Sequence, residues 1–207
     1  MKRLFTLLLL TLSWIYTWAD SPLTSTDFAE NYKDHPMVQM ALNLHGDDAD
    51  PYVPVSILDF LANKKSPIDV RLAVINAISW NFEGKSSGEQ LYEYLSKRYK
   101  AKTTDKLVKK LDAGTLAVYA YAKAMSDYFD VKEAQELGHK AVKKDKSKSF
   151  SVAFITSLID AQVYLDDDWS MVYKVVNNVL HDGSLHLDMR QSAIDSVMEY
   201  IGEYKNY

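Results

Sequence analysis

The loop Gly84-Lys85-Ser86-Ser87-Gly88 has the Gly-x-Ser-x-Gly spacing with which a strained turn from strand to helix lifts a serine for nucleophilic attack. Its context removes that chemistry. The preceding segment, 67–82, carries helix start signals and is longer than an ordinary strand, and no series of strands follows to build the sheet such a turn needs. The Gly-Lys-Ser portion also has the ending of a phosphate-binding loop, yet Ser79 stands where that motif requires its first glycine. The same residues suit a helix start: Ser86 with Glu89, or Ser87 with Gln90, has the spacing of a reciprocal capping box. The histidines, His35, His45, His139, His181 and His186, show no spacing that sets two on one helical face as metal ligands, since His181 and His186 flank Gly183. Asp47-Asp48-Ala49-Asp50 lacks the glycine and distal glutamate of a calcium-binding loop. These spacings assign no catalytic residue, no metal site and no cofactor.

Charge and aromaticity point to contact chemistry instead. From Asp27 to Asp59 there are seven acids and one lysine, whereas Lys97 to Lys110 holds seven cations and one acid, Asp105. A cationic stretch of that density suits an acidic protein or an anionic lipid or glycan surface, or else a solvated helix end whose cations complement the carbonyl terminus. Tyrosine is abundant at 14 residues. Its ring packs between helices while the hydroxyl reaches an edge, a combination useful both for cores and for contact surfaces.

The chain opens with Met1, Lys2 and Arg3, followed by an apolar run from Leu4 to Ile15 and small residues at Thr17 and Ala19. This is the layout of a cleavable signal peptide spanning 1–19, with cleavage expected after Ala19. Its apolar core is shorter than the ~20 residues that span a bilayer, and no later stretch is apolar enough to form an integral membrane segment. The mature part, 20–207, is expected to be one helical domain. Losing Lys2 and Arg3 leaves 22 basic against 28 acidic residues, a balance of −6, which argues against general nucleic-acid binding. The absence of cysteine rules out both disulfides and a lipid-modified cysteine. Export without cysteine fits a bacterial periplasm, or the medium, better than a eukaryotic secreted domain.

Helices must position whatever this chain uses. Ser66, Pro67 and Asp69 signal a helix start, and the segment that follows is apolar on two faces, as a central helix is. Leu91, Tyr94, Leu95 and Tyr99 stripe the next helix, and a short one lies near 104–111. Asp112-Ala113-Gly114 breaks the chain before a helix at 115–129, and Asp130 with Glu133 is placed to cap its successor. Further helices are read at 149–165, 169–181 and 186–204, with Asp166, Asp167 and Asp168 supplying the start of one and Gly183 its end, and two shorter ones at 35–44 and 54–63.

One hairpin carries a family likeness. Asp130-Val131-Lys132-Glu133-Ala134, then Lys140-Ala141-Val142 and Asp145, with Ala122 in the preceding helix, resemble a tetratricopeptide repeat over residues 116–148, a helix-turn-helix unit of about 34 residues. Gly138 departs from it where the family favours a large aromatic, and Lys146 replaces its closing proline. A fainter copy runs from Asp168 to Leu180 at an offset of 38, while Asp69-Val70-Arg71 with Ile75, and Asp188-Met189-Arg190 with Ile194, resemble the inner helix of HEAT repeats. The expected fold is therefore all-α, an irregular α-solenoid of antiparallel helical hairpins, with a compact helical bundle as the alternative.

The resemblance also implies a site. A tetratricopeptide hairpin would turn Tyr119, Lys123 and Asp127, at i, i+4 and i+8, toward the concave groove that binds partner segments. Extending the register adds Asn76 and Trp80 from an earlier helix and Tyr164 from a later one. The function expected is that of an exported, non-enzymatic helical-repeat protein holding another protein through a groove or end face, one version being an immunity or inhibitor protein. The alternatives are a periplasmic enzyme acting on cell-wall or glycan material through carboxylates that meet only in the fold, and a structural or oligomer-forming module.

Overall fold

Three segments have small and aliphatic residues on every side, and they become the innermost helices. The computed structural model describes residues 20–44, 52–81 and 83–207; the expected signal peptide, His45 and the Asp47–Asp50 loop lie outside them. Among the described residues the helices are α1 (Pro36–Leu42), α2 (Val55–Leu61), α3 (Ile68–Ile78), α4 (Ser87–Tyr99) and α5 (Thr104–Lys110). They continue as α6 (Ala113–Ser126), α7 (Lys132–Lys144), α8 (Phe150–Leu165), α9 (Trp169–Leu180) and α10 (Gln191–Ile201). Two 3-10 turns, Phe28–Tyr32 and Gly202–Asn206, flank the set. No strand forms among the described residues beyond an isolated bridge between Ser149 and His186, so the protein is all-α.

Helices α3, α6 and α8 touch one another pairwise and bury most of their residues. The others bury a single stripe each. Short turns fold α7 back along α6 and α9 back along α8, and α7 covers α6 and α8 together. Helix α4 lies on α6, α1 on α3, and α10 on the Phe28–Tyr32 turn. Ala134 and Ala141 are fully buried on α7, consistent with the small residues that let it approach α6. Gly138 has its own cause: a Cβ there would meet Thr156 of α8 at 3.0 Å, so a large aromatic has no room.

The centre is pinned by one polar side chain. Asn76 on α3 accepts from the amide of Ala29 at 2.8 Å and donates to the carbonyl of Thr26 and to the hydroxyl of Tyr121 on α6, each at 3.0 Å. At the periphery Arg190 closes the chain on itself: it grips Asp34 with two bonds of 2.6 and 2.9 Å, donates to the carbonyl of Asn31 and stacks over Tyr32. This guanidinium holds the Asp34 carboxyl below the usual carboxylate range.

Several boundaries differ from those the residues suggest. Helix α3 stops at Ile78, because Ser79 turns to φ +63°, rather than running to 82. The stretch before α10 is not helical: His186 exchanges backbone bonds with Lys148 and Phe150, and Asp188 accepts from the Ser151 amide at 2.8 Å in the first turn of α8. Asp168 does cap α9, but Asp130 does not cap α7 and Ser66 does not cap α3. In the turn before α7 it is Asp127 whose carboxylate receives the amides of Phe129 and Asp130, both at 3.2 Å.

Asn76→Ala would leave two buried backbone groups without partners. It is expected to lower the unfolding free energy by about 3 kcal/mol, measured by urea denaturation, whereas Asn31→Ala at the surface should cost under about 1 kcal/mol.

Candidate functional site

The last turn of α6, the first turn of α4 and the 127–131 turn meet around a cleft of about 610 Å³. The loop that mimics a nucleophile motif builds one wall, and its glycines explain how. Gly84 sits at φ +83°, a conformation that favours glycine. Gly88 lets the start of α4 rest against the end of α6, since a Cβ there would lie 3.1 Å from the Ala122 carbonyl and from the Lys123 Cα. The capping expected from Ser86 is supplied from across the interface. Ser126 Oγ on α6 receives the Gly88 amide at 2.8 Å and sits 3.1 Å from Ser87 Oγ, while its backbone carbonyl takes the Lys85 amide at 2.8 Å. Ser86 Oγ accepts from the side chain of Gln90 at 2.8 Å.

Tyr119, Lys123 and Asp127 all line this cleft, in a gradient from core to water. Tyr119 is 4% exposed and its ring stacks on Tyr92 of α4, with centroids 6.0 Å apart. Burial, reinforced by Glu133, Tyr92 and Glu89, pushes its phenol well above the ordinary range. Its hydroxyl makes no hydrogen bond among the described residues. Lys123 pairs with Glu133 of α7 at 2.9 Å, and Asp127 is exposed just beyond the helix end.

The other three expected residues lie elsewhere. Asn76 is committed to the core bonds described above. Trp80 has left the helix after Ser79, donates its indole N–H to the Thr24 carbonyl at 3.2 Å and meets Tyr128 edge-on. Asn76 and Trp80 border a separate hollow of about 160 Å³. Tyr164 packs half-buried on α8 and lines neither cavity.

Spacing did not reveal the remaining walls. Glu83 and Glu89 come from the α4 side, and Tyr128, Phe129, Asp130 and Glu133 from the turn and first helical turn that follow α6. The cleft thus holds five carboxylates against two ammoniums, those of Lys85 and Lys123, an excess of three negative charges. Both ammoniums are engaged, Lys85 with the Ile78 carbonyl at 2.6 Å and Lys123 with Glu133. Phe129 stands 54% exposed beside the acids, while Tyr128, 2% exposed, buries a hydroxyl that has no hydrogen-bond partner among the described residues.

The opposite ends of α4 and α6 carry the cations. Lys64, Lys65, Arg98 and Lys110 surround a hollow of about 270 Å³. Part of the basic segment serves helix ends, as Lys110 bonds the carbonyl of Tyr99 at 2.6 Å and Arg98 pairs with Asp59 at 3.1 Å. A histidine pairing that spacing did not suggest joins α7 to α8, where His139 Nε2 lies 2.8 Å from Asp160 and Gln135 donates to the same oxygen. Among the described residues no helix is long and apolar enough to cross a membrane, and no three metal-binding side chains converge.

Fold and site together define an all-α protein of packed helical hairpins with an acidic, aromatic cleft at one end of its α4–α6 pair. Comparison with protein-family models, characterised proteins and solved structures gives no match.

If close helix contact builds the cleft, Gly88→Ala should cost about 1–3 kcal/mol, because the new methyl would lie 2.8 Å from Ser126 Oγ and 3.1 Å from backbone atoms of Ala122 and Lys123. Ser126→Ala should cost about 1 kcal/mol through the lost cap. Thermal melts of the two variants read both values.

Proposed function

We propose that this chain is an exported, non-catalytic protein of the helical-repeat type that holds another protein in the periplasm or outside the cell, and that the partner docks in the cleft between α4, α6 and α7. The observation that carries this reading is the convergence of Tyr119, Lys123 and Asp127 with the exposed ring of Phe129 in one open cleft. An exposed aromatic beside charged groups offers apolar area and directional polar contacts together, the mixture found at the energetic centres of interfaces. The cleft acids Glu83, Glu89, Asp127, Asp130 and Glu133 are all exposed. Proton-transfer chemistry by a carboxyl pair calls for one acid in a dry setting that raises its pKa, so this exposure supports docking over hydrolysis. An immunity or inhibitor protein is one form such a binder takes.

The test is differential capture from a periplasmic extract, comparing the wild type with a Phe129→Ala, Asp130→Lys variant altered only at exposed positions. A partner held by the wild type should be lost from the variant and kept by a Lys64→Glu, Lys65→Glu control at the far end of α4. Identical partners for all three proteins would remove the cleft from the binding surface.

A further inference from the structure

An acidic rim by itself marks no ligand, but this one surrounds a phenol hydroxyl that has no hydrogen-bond partner among the described residues. Tyr119 is 4% exposed between α4 and α6, and its hydroxyl reaches the cleft surface without a hydrogen bond among the described residues. It lines the cleft with Glu89 and Glu133, the two carboxylates whose fields act on it. Tyr128, in the same lining, keeps its own hydroxyl beneath the surface with no hydrogen-bond partner among the described residues. The Tyr119 oxygen, held among carboxylates and free of any protein donor among the described residues, has lone pairs to offer, and a ligand group that both donates hydrogen bonds and carries positive charge would use them.

The cleft already holds one such group. The ammonium of Lys123 sits 2.9 Å from Glu133, and it comes from within the protein itself. This ion pair is partly exposed, with Lys123 at 33% and Glu133 at 54%. Pairs of that kind contribute about 0–1 kcal/mol and open readily. Around it three other carboxylates, those of Glu89, Asp127 and Asp130, have no lysine or arginine within ion-pair distance among the described residues.

We propose that the cleft recognises a cationic side chain, an arginine or lysine in an exposed segment of the docked protein, and that Lys123 is the internal occupant that this side chain displaces. The inference rests on the docking function proposed above and names the chemistry of the partner. The incoming group takes the place beside Glu133 and reaches Glu89 across the cleft. It donates an N–H to the Tyr119 hydroxyl oxygen, and the aliphatic stem of the side chain lies on the ring of Phe129. A planar guanidinium matches two carboxylates and a phenol better than an ammonium does, because its donors fan out in one plane.

The experiment is fluorescence anisotropy of a labelled Gly-Ser-Arg-Gly-Arg-Ser-Gly peptide with the folded protein in low salt, against the same peptide with glutamate for arginine. The arginine peptide should bind and the glutamate peptide should not. Glu89→Gln with Glu133→Gln should weaken binding about a hundredfold, since each lost charge-assisted bond is worth about 1.4 kcal/mol, a factor of ten. Lys123→Met should tighten it several-fold by removing the occupant. Lys64→Met, which removes an equal charge at the other end of α4, should leave it unchanged; equal tightening by both would reduce the effect to overall charge and overturn the displacement. Equal binding of the two peptides, no binding of the arginine peptide, or indifference to the glutamine pair would overturn the cation site. The two proposals fail separately. A natural partner lost from the Phe129→Ala, Asp130→Lys variant but retained by the glutamine pair keeps the docking function and removes the cation.

Discussion

The side-chain amide of Asn76 is where three separate pieces of chain meet, and the alignment of the inner helices depends on it. It satisfies the Ala29 amide and the Thr26 carbonyl, so the Phe28–Tyr32 turn and the residues just before it are held against α3, and its bond to Tyr121 sets the register of α3 on α6. In an interior of leucine, valine and alanine, packing alone tolerates small slides of one helix along another. A buried, fully bonded amide does not, because every slide strands a polar group. With α6 placed, the helices that cover it have little latitude.

Helix α4 shows how that placement reaches the cleft. Its first turn has no cap of its own and borrows one from Ser126, at the far end of α6. Two glycines bring the helices close enough for the borrowing to work. The spacing that mimics a serine nucleophile is thus the footprint of a helix junction. Tyr119 is clamped in the same junction by Tyr92, and α7 then turns Glu133 over the top.

The helices themselves were largely legible in the sequence, because apolar residues recur at helical spacing and Pro and Gly punctuate between them. Boundaries were less so where a side chain from another segment does the local work. Ser126 caps α4 and Asp127 shapes the turn before α7, so Ser86 and Asp130, the nearer residues in sequence, misled. Of the site, the i, i+4, i+8 series of Tyr119, Lys123 and Asp127 was readable from one helix. Asn76 and Trp80 share that spacing on paper, but Ser79 ends the helix between them and both border a different hollow from the one Tyr119 lines. Glu89 and Glu133 were hidden because they reach the cleft from two different helices, and Phe129 gave no signal that its ring would stay outside the core.

The lengthwise distribution of charge along the α4–α6 pair has a consequence for motion before contact. Carboxylates gather where α4 begins and α6 ends, and ammonium and guanidinium groups gather where α4 ends and α6 begins. A body charged this way carries a permanent electric dipole along the pair, and in the field of a charged neighbour it experiences a torque as well as a pull. Tumbling is thereby biased, so that collisions occur more often with one end leading. At ordinary ionic strength this orientation acts only over the last ~10 Å of approach, which is about the range at which it can still decide which surface touches first.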